Sequence, residues 1–215
     1  KEVLSENPDF VIIATGGLPN TGIVEGTELV HSTWDVLGGS VNPAGKVLLF
    51  DDNSAHPGLA AAELIADAGC ELEIVTPERF FGADIGGLNH VAYAEAFDRA
   101  GARLTISKRL REVRRNGSGL KAIIGSDYTD HLEERTVDQV FVEHGTLPLD
   151  DLYFELKSES LNLGEVDYPA LIEGRPQQVR SNPDGAFQLF RIGDAVSSRN
   201  IHAAVYDALR LCITL

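Results

Sequence analysis

The apolar positions of this chain gather into short runs bounded by Pro, Gly and Asn, with few long helical stripes between them. Residues 9–14 (DFVIIA), Val47-Leu48-Leu49-Phe50, Leu72 to Val75 and Val137 to Val142 are such runs. The first of these, rich in β-branched residues, predicts a buried strand, and the other three also read as strands. Between the second and third runs lies a helix opened by Pro57 and closed by Gly69, the expected asymmetry of helix ends. Strand, helix, strand in that order predicts a βαβ unit, hence a parallel sheet with right-handed crossovers.

Downstream, Leu88, Val91, Ala92 and Phe97 recur at near-helical spacing, predicting a helix over 88–100 that is stopped by Gly101 and leads into a strand at 102–106. Leu110 to Arg115 and Leu120 to Ile124 flank Asn116-Gly117, a dipeptide favoured in tight hairpins. Residues 187–194 (FQLFRIGD) read as a strand ending in Gly-Asp. A helix capped by Asn200 follows, with Ile201, Val205, Leu209 and Cys212 on one face. A short helical turn at 32–37 and the break Asn42-Pro43-Ala44-Gly45 complete the outline.

One pattern occurs twice. Residues 9–20, DFVIIATGGLPN, are matched at 138–149 by DQVFVEHGTLPL, with Asp, Gly, Leu and Pro at the same offsets. Each copy reads as the last strand before the chain crosses between two related dinucleotide-type domains, one inserted into the other. The boundaries that follow are an outer domain at 1–44 and 146–215 and an inserted one at 45–145.

Composition narrows the partners. Acidic residues outnumber basic ones by 33 to 18, and a net charge of −15 repels phosphate backbones and anionic lipid, so neither nucleic acid nor membrane is expected as a partner. No stretch approaches the ~18 uninterrupted apolar residues of a membrane span. Cys70 and Cys212 are far apart without a CxxC companion, which offers no cysteine-based zinc or iron–sulfur site and fits a reducing, cytoplasmic compartment. The chain has no Met and starts at Lys1 close to a strand, so an internal or C-terminal piece of a longer polypeptide is expected.

The chemistry-bearing positions sit at strand ends. Gly193 lets backbone approach a ligand, Asp194 can accept hydrogen bonds from ribityl or ribose hydroxyls, and the helix capped by Asn200 offers free N–H groups to an anion. Ala195 and the first helical residues Ile201 and His202 complete that candidate cofactor site. Thr15, Gly16 and Gly17, in the ATGG that ends the first strand, are expected against the same nucleotide. Asp51-Asp52-Asn53-Ser54-Ala55-His56-Pro57-Gly58 stands where the inserted domain should carry GxGxxG for a pyrophosphate, and has two carboxylates instead. A carboxylate ~5 Å from a phosphate charge costs on the order of 3 kcal/mol at an effective dielectric of 20, about two decades of affinity. Thr76 replaces the acidic residue that would grip a ribose. NAD(P) binding is therefore not expected, nor a metal site at Asp51, Asp52 and His56, and no catalytic residue is apparent.

These features resemble the two-dinucleotide-domain flavoproteins related to glutathione reductase. They imply an α/β fold in which a Rossmann-like dinucleotide-binding domain is inserted into an incomplete FAD/NAD(P)-binding domain. Residues 50–58 (FDDNSAHPG), 142–157 (VEHGTLPLDDLYFELK) and 190–212 (FRIGDAVSSRNIHAAVYDALRLC) are similar to a narrower group. That group is the C-terminal region of NADH:flavin oxidoreductases of the trimethylamine dehydrogenase, dimethylglycine or N-methylproline demethylase and 2,4-dienoyl-CoA reductase family. The resemblance implies FAD or ADP in the outer domain, an upstream barrel domain holding FMN and an iron–sulfur cluster, and an electron acceptor docking on a degenerate inserted domain. It leaves two rivals: an inserted domain that still passes hydride from NAD(P)H to FAD, and a structural module with no nucleotide.

Overall fold

The computed structural model describes residues 2–22, 25–213 and 215. In chain order its elements are α1 (Glu2–Ser5), β1 (Phe10–Ile13), β2 (Gly17–Pro19), β3 (His31–Ser32), α2 (Thr33–Leu37), β4 (Lys46–Asp51), α3 (His56–Asp67), β5 (Glu71–Val75), α4 (Gly87–Ala100) and β6 (Arg103–Thr105). There follow β7 (Arg109–Asn116), β8 (Gly119–Gly125), β9 (Leu132–Val137), β10 (Gln139–Glu143), β11 (Thr146–Pro148), α5 (Asp151–Lys157), α6 (Tyr168–Glu173), β12 (Gln188–Arg191) and α7 (Ile201–Cys212). The elements divide into two compact units, 1–18 with 146–215, and 19–145.

The unit at 19–145 is built on a parallel five-stranded sheet in the order β3-β10-β4-β5-β6. Its central strands β4 and β10 are apolar on both faces for a physical reason. On one side Val47, Leu49, Ile74 and Phe141 pack with Leu59 and Ile65 of α3 and Phe97 of α4. On the other, Leu48, Phe50, Val140 and Val142 pack with Leu110, Ala122 and Ile124 of the antiparallel sheet β7-β8-β9. Alternate side chains of the central strands β4 and β10 thus enter different cores, and neither face of these strands reaches water.

Residues 19–44, expected with the outer domain, lie in this unit instead. The cause is β3, which pairs with β10 through Phe141↔His31, and α2, held by a capping box between Ser32 and Asp35. β9 also escapes the apolar pattern, because Leu-Glu-Glu-Arg-Thr-Val places Glu133 and Arg135 in ion pairs with Lys108 and Glu73 rather than in a core. Helix α4 differs in exposure from its expected face. Of Leu88, Val91, Ala92 and Phe97, only Phe97 is fully buried; Leu88 and Val91 stand in solvent.

The unit of 1–18 and 146–215 centres on the parallel pair β1·β12, with Val11, Ile13, Leu189, Phe187, Tyr153 and Leu156 as its core. Asn162, fully buried, staples this core: its side chain accepts from Leu189 N at 2.8 Å and donates to Leu189 O and Glu165 O. The duplicated Leu-Pro segments have a joint role, since β2 and β11 pair with each other.

Candidate functional site

β1 and β12 run side by side in register, Ile13 opposite Arg191, and Ile192 N donates to Ile13 O at 3.0 Å. Both candidate motifs therefore leave the sheet at its carboxyl end, the edge at which open α/β sheets bind ligands. Gly193 turns there at φ +60, and Gly193–Ala195 form a single 3-10 turn. Gly193 N donates to Asp207 Oδ2 of α7, and Asp207 also pairs with Arg199, whose guanidinium donates to Gly193 O at 3.4 Å. These bonds hold the turn against the middle of α7. Asn200 caps that helix through Ala203 N at 2.9 Å, and Ile201 and His202 are exposed in its first turn.

Asp194 is not idle in this arrangement. It accepts from Thr146 Oγ1 at 3.2 Å and from Arg199 N at 3.4 Å, while Thr146 N donates to Ser198 Oγ at 3.0 Å. A carboxylate with about four acceptor sites keeps capacity for a further donor such as a hydroxyl. In the ATGG segment the glycines have separate causes. Gly16 sits at φ +71 with nothing within 4 Å of the point a Cβ would occupy, so among the chain's own atoms only its backbone conformation demands glycine and the space beside it is open. At Gly17 a Cβ would lie 2.7 Å from Leu147 O and 2.8 Å from Thr146 Cβ, so the β2·β11 pairing demands it, independently of any ligand. Thr15 Oγ1 donates to Leu149 O, and Leu149 N to Gly16 O at 2.9 Å.

The nine candidate positions are thus brought to one end of one two-stranded core. Thr146, Ser198, Arg199 and Asp207, which buttress them, were not singled out from the sequence; the Arg199–Asp207 pair straddles a helix cap, so no single periodicity links them. A cavity of about 360 Å³ opens nearby, lined by Tyr168, Ile172, Phe190, Ile192, Arg199 and Asp207 among others, but not by Thr15, Gly16, Gly17 or Asp194.

The second constellation, in the other unit, ends β4 and β10, where Asp51 and Glu143 are register partners. Asp51 is buried, and its Oδ1 accepts from Asn53 N at 3.0 Å and Ser54 N at 2.8 Å. Burial pushes its carboxyl up to about 7; the Ser54 amide opposes this, and Glu143 adds to it. Glu143 accepts from Thr33 Oγ1, Asn53 Nδ2 and Gly145 N, and Asp52 pairs with Arg109 and lies within hydrogen-bond reach of His144 Nδ1. Thr76 is buried in backbone pairing with Thr105 and Lys108. Among the described residues no group of His, Cys, Asp and Glu is arranged to hold a metal ion. No helix among them is long and apolar enough to cross a membrane.

No family model matches the chain. Over 210 residues it is 50% identical to "Probable N-methylproline demethylase" of Rhizobium meliloti (strain 1021), covering 97% of this chain and 31% of that protein. It is 42% identical to the N,N-dimethylglycine/sarcosine dehydrogenase of Chromohalobacter salexigens, over 95% of this chain and 31% of the relative. The chain is homologous to the C-terminal nucleotide-binding region of this family of trimethylamine dehydrogenase-like oxidoreductases. It spans about a third of the length of the curated relatives it matches. Among solved structures, histamine dehydrogenase from Rhizobium sp. 4-9 superposes with a TM-score of 0.73 at 20% identity, over 97% of this chain and 29% of that one. Thioredoxin reductase of T. acidophilum superposes at 0.60 with 19% identity, over 93% of this chain and 62% of that one. The fold is the α/β, Rossmann-like FAD/NAD(P) architecture that the sequence led us to expect.

Proposed function

We propose that this chain is the nucleotide-binding portion of a longer flavin-dependent oxidoreductase that acts on N-methylated amines, with FAD or ADP held at the carboxyl ends of β1 and β12. The observation that carries the reading is the convergence of Thr15–Gly17, Gly193–Ala195 and the Asn200-capped start of α7 at one sheet end. Bound there, the nucleotide supplies either a flavin ring for electron transfer or an adenine anchor alone. The chain's own groups would orient it: Asp194 toward a hydroxyl, the α7 N-terminus toward the phosphates, and Gly16 by leaving room for it. The upstream barrel with its FMN and iron–sulfur cluster, and an electron-acceptor protein, are partners of the whole polypeptide in this reading. The exposed apolar row Ile201, Val205 and Leu209 on α7 supports a covering segment outside this chain.

The unit at 19–145 acts as scaffold in this reading and does not take NAD(P)H. The rival, in which it delivers hydride, draws support from a 34% identical relative in Caballeronia cordobensis, a "Multifunctional alkene reductase/demethylase OYE". Titration of the chain with NADH, following nicotinamide fluorescence with ADP as competitor, separates the two. The expected outcome is no saturable enhancement below ~100 μM, an affinity of about −5 kcal/mol. Saturation below that concentration would establish the hydride-delivering reading instead.

A further inference from the structure

The acidic loop of the inserted unit does more than repel a dinucleotide. α3 begins at His56, directly after this loop, and its first turn packs against Asp51: a Cβ placed on Gly58 would lie 2.6 Å from Asp51 Cγ and closer still to Oδ2. The other oxygen, Oδ1, takes two consecutive backbone N–H groups, those of Asn53 and Ser54. Consecutive amides turned onto one acceptor beside a helix start form the kind of cradle that holds a phosphate oxygen in dinucleotide-binding loops. Ser54 is held at φ +54, a left-handed conformation unusual for serine, and its hydroxyl is buried without a hydrogen-bond partner. Glycine at 58 is therefore needed here to admit a carboxyl group of the chain itself.

We infer that Asp51 is a built-in substitute for a phosphate: its side chain fills the pyrophosphate position at the start of α3 and is the residue that determines the unit's refusal of dinucleotides. This deepens the proposal that the unit does not take NAD(P)H, and rests on it. The neighbouring acids do not fill that role. Asp52 is turned to Arg109 and His144, and Glu143 to Thr33, Asn53 and Gly145. Above pH 7 the group is mainly ionised and carries the charge as well as the shape of the ligand it replaces.

The test uses inorganic pyrophosphate and NADH at pH 8 on the wild-type chain, Asp51→Ala and Asp51→Asn, with circular dichroism to verify folding. Asp51→Ala should bind pyrophosphate at least tenfold more tightly than wild type, and Asp51→Asn, which keeps the bulk, by a smaller factor. A folded Asp51→Ala with no gain overturns the inference and leaves the scaffold reading intact. Wild-type binding of NADH overturns the scaffold reading itself. A wild-type measurement decides the matter should the variants fail to fold. The amide resonances of Asn53 and Ser54 should titrate with the Asp51 carboxyl and stay unmoved by 50-fold excess pyrophosphate; amides that shift with pyrophosphate and ignore the carboxyl contradict the inference.

Discussion

Between about pH 4 and pH 7 the unfolding free energy of the wild-type chain should fall relative to Asp51→Asn as the solution becomes more alkaline. Asp51 has an ordinary carboxyl pKa of 3.8 when unfolded and about 7 in its buried site. The folded state therefore holds this proton more tightly, and the group's stabilising contribution is complete below 3.8 and lost as pH rises through 7. A shift of that size corresponds to about 4 kcal/mol across the window. Glu133 works in the opposite sense: Lys108 and Arg135 hold its carboxyl down at about 2. Its stabilisation is present above 4.5 and is lost toward pH 2, so it meets the Asp51 window only at its acid edge and is common to both proteins. Urea unfolding at half-unit pH intervals on both proteins checks this, and parallel curves from pH 4 to 7 would show that Asp51 is not a buried, proton-holding group.

Gly58→Ala should cost about 2–4 kcal/mol, the range for overpacking combined with the loss of buried hydrogen bonds. The new methyl falls on the Asp51 carboxyl, which can retreat only by giving up the amides of Asn53 and Ser54. In an Asp51→Ala background the same substitution should be nearly neutral, because the space is then open. The double-mutant cycle should show a coupling of about 2–4 kcal/mol, the difference between the two costs. Equal costs in both backgrounds would mean that Gly58 answers to something other than Asp51.

The βαβ unit and the Asn116-Gly117 hairpin were legible because each is encoded locally, by an apolar run, a Pro-to-Gly helix or a turn dipeptide. The repeated Gly-x-Leu-Pro was legible as a pair of exits, but the pairing of its two copies as β2 and β11 was not, since three-residue strands carry no period. β9 was hidden by its charge: Glu133 and Arg135 are held by ion pairs, which hydrophobicity does not report. The stripe on α7 shows the converse limit. Ile201, Val205 and Leu209 have the spacing of a buried face and stand in solvent, because amphipathicity says that a helix has an apolar side and not what covers it. At the candidate site, Gly193, Asp194 and Asn200 could be named from their order along the chain. Arg199, Asp207 and Thr146 could not, because their roles arise only when β11 and α7 converge on the same turn. That the Asp51-Asp52 loop departs from a GxGxxG turn was legible; that Asp51 lies folded back onto Gly58 required the structure.

Everything proposed for the whole enzyme turns on whether its adenine nucleotide belongs to the strand ends of β1 and β12. The whole polypeptide should be purified from cells and denatured, and the released nucleotides identified by liquid chromatography and mass spectrometry. Equimolar FAD or ADP is expected from the wild type, retained in Asp51→Asn and lost in Asp194→Ala with its circular dichroism unchanged. A wild-type protein that releases no adenine nucleotide, or one whose nucleotide survives Asp194→Ala and disappears on substitution in the 51–58 loop, would contradict that placement.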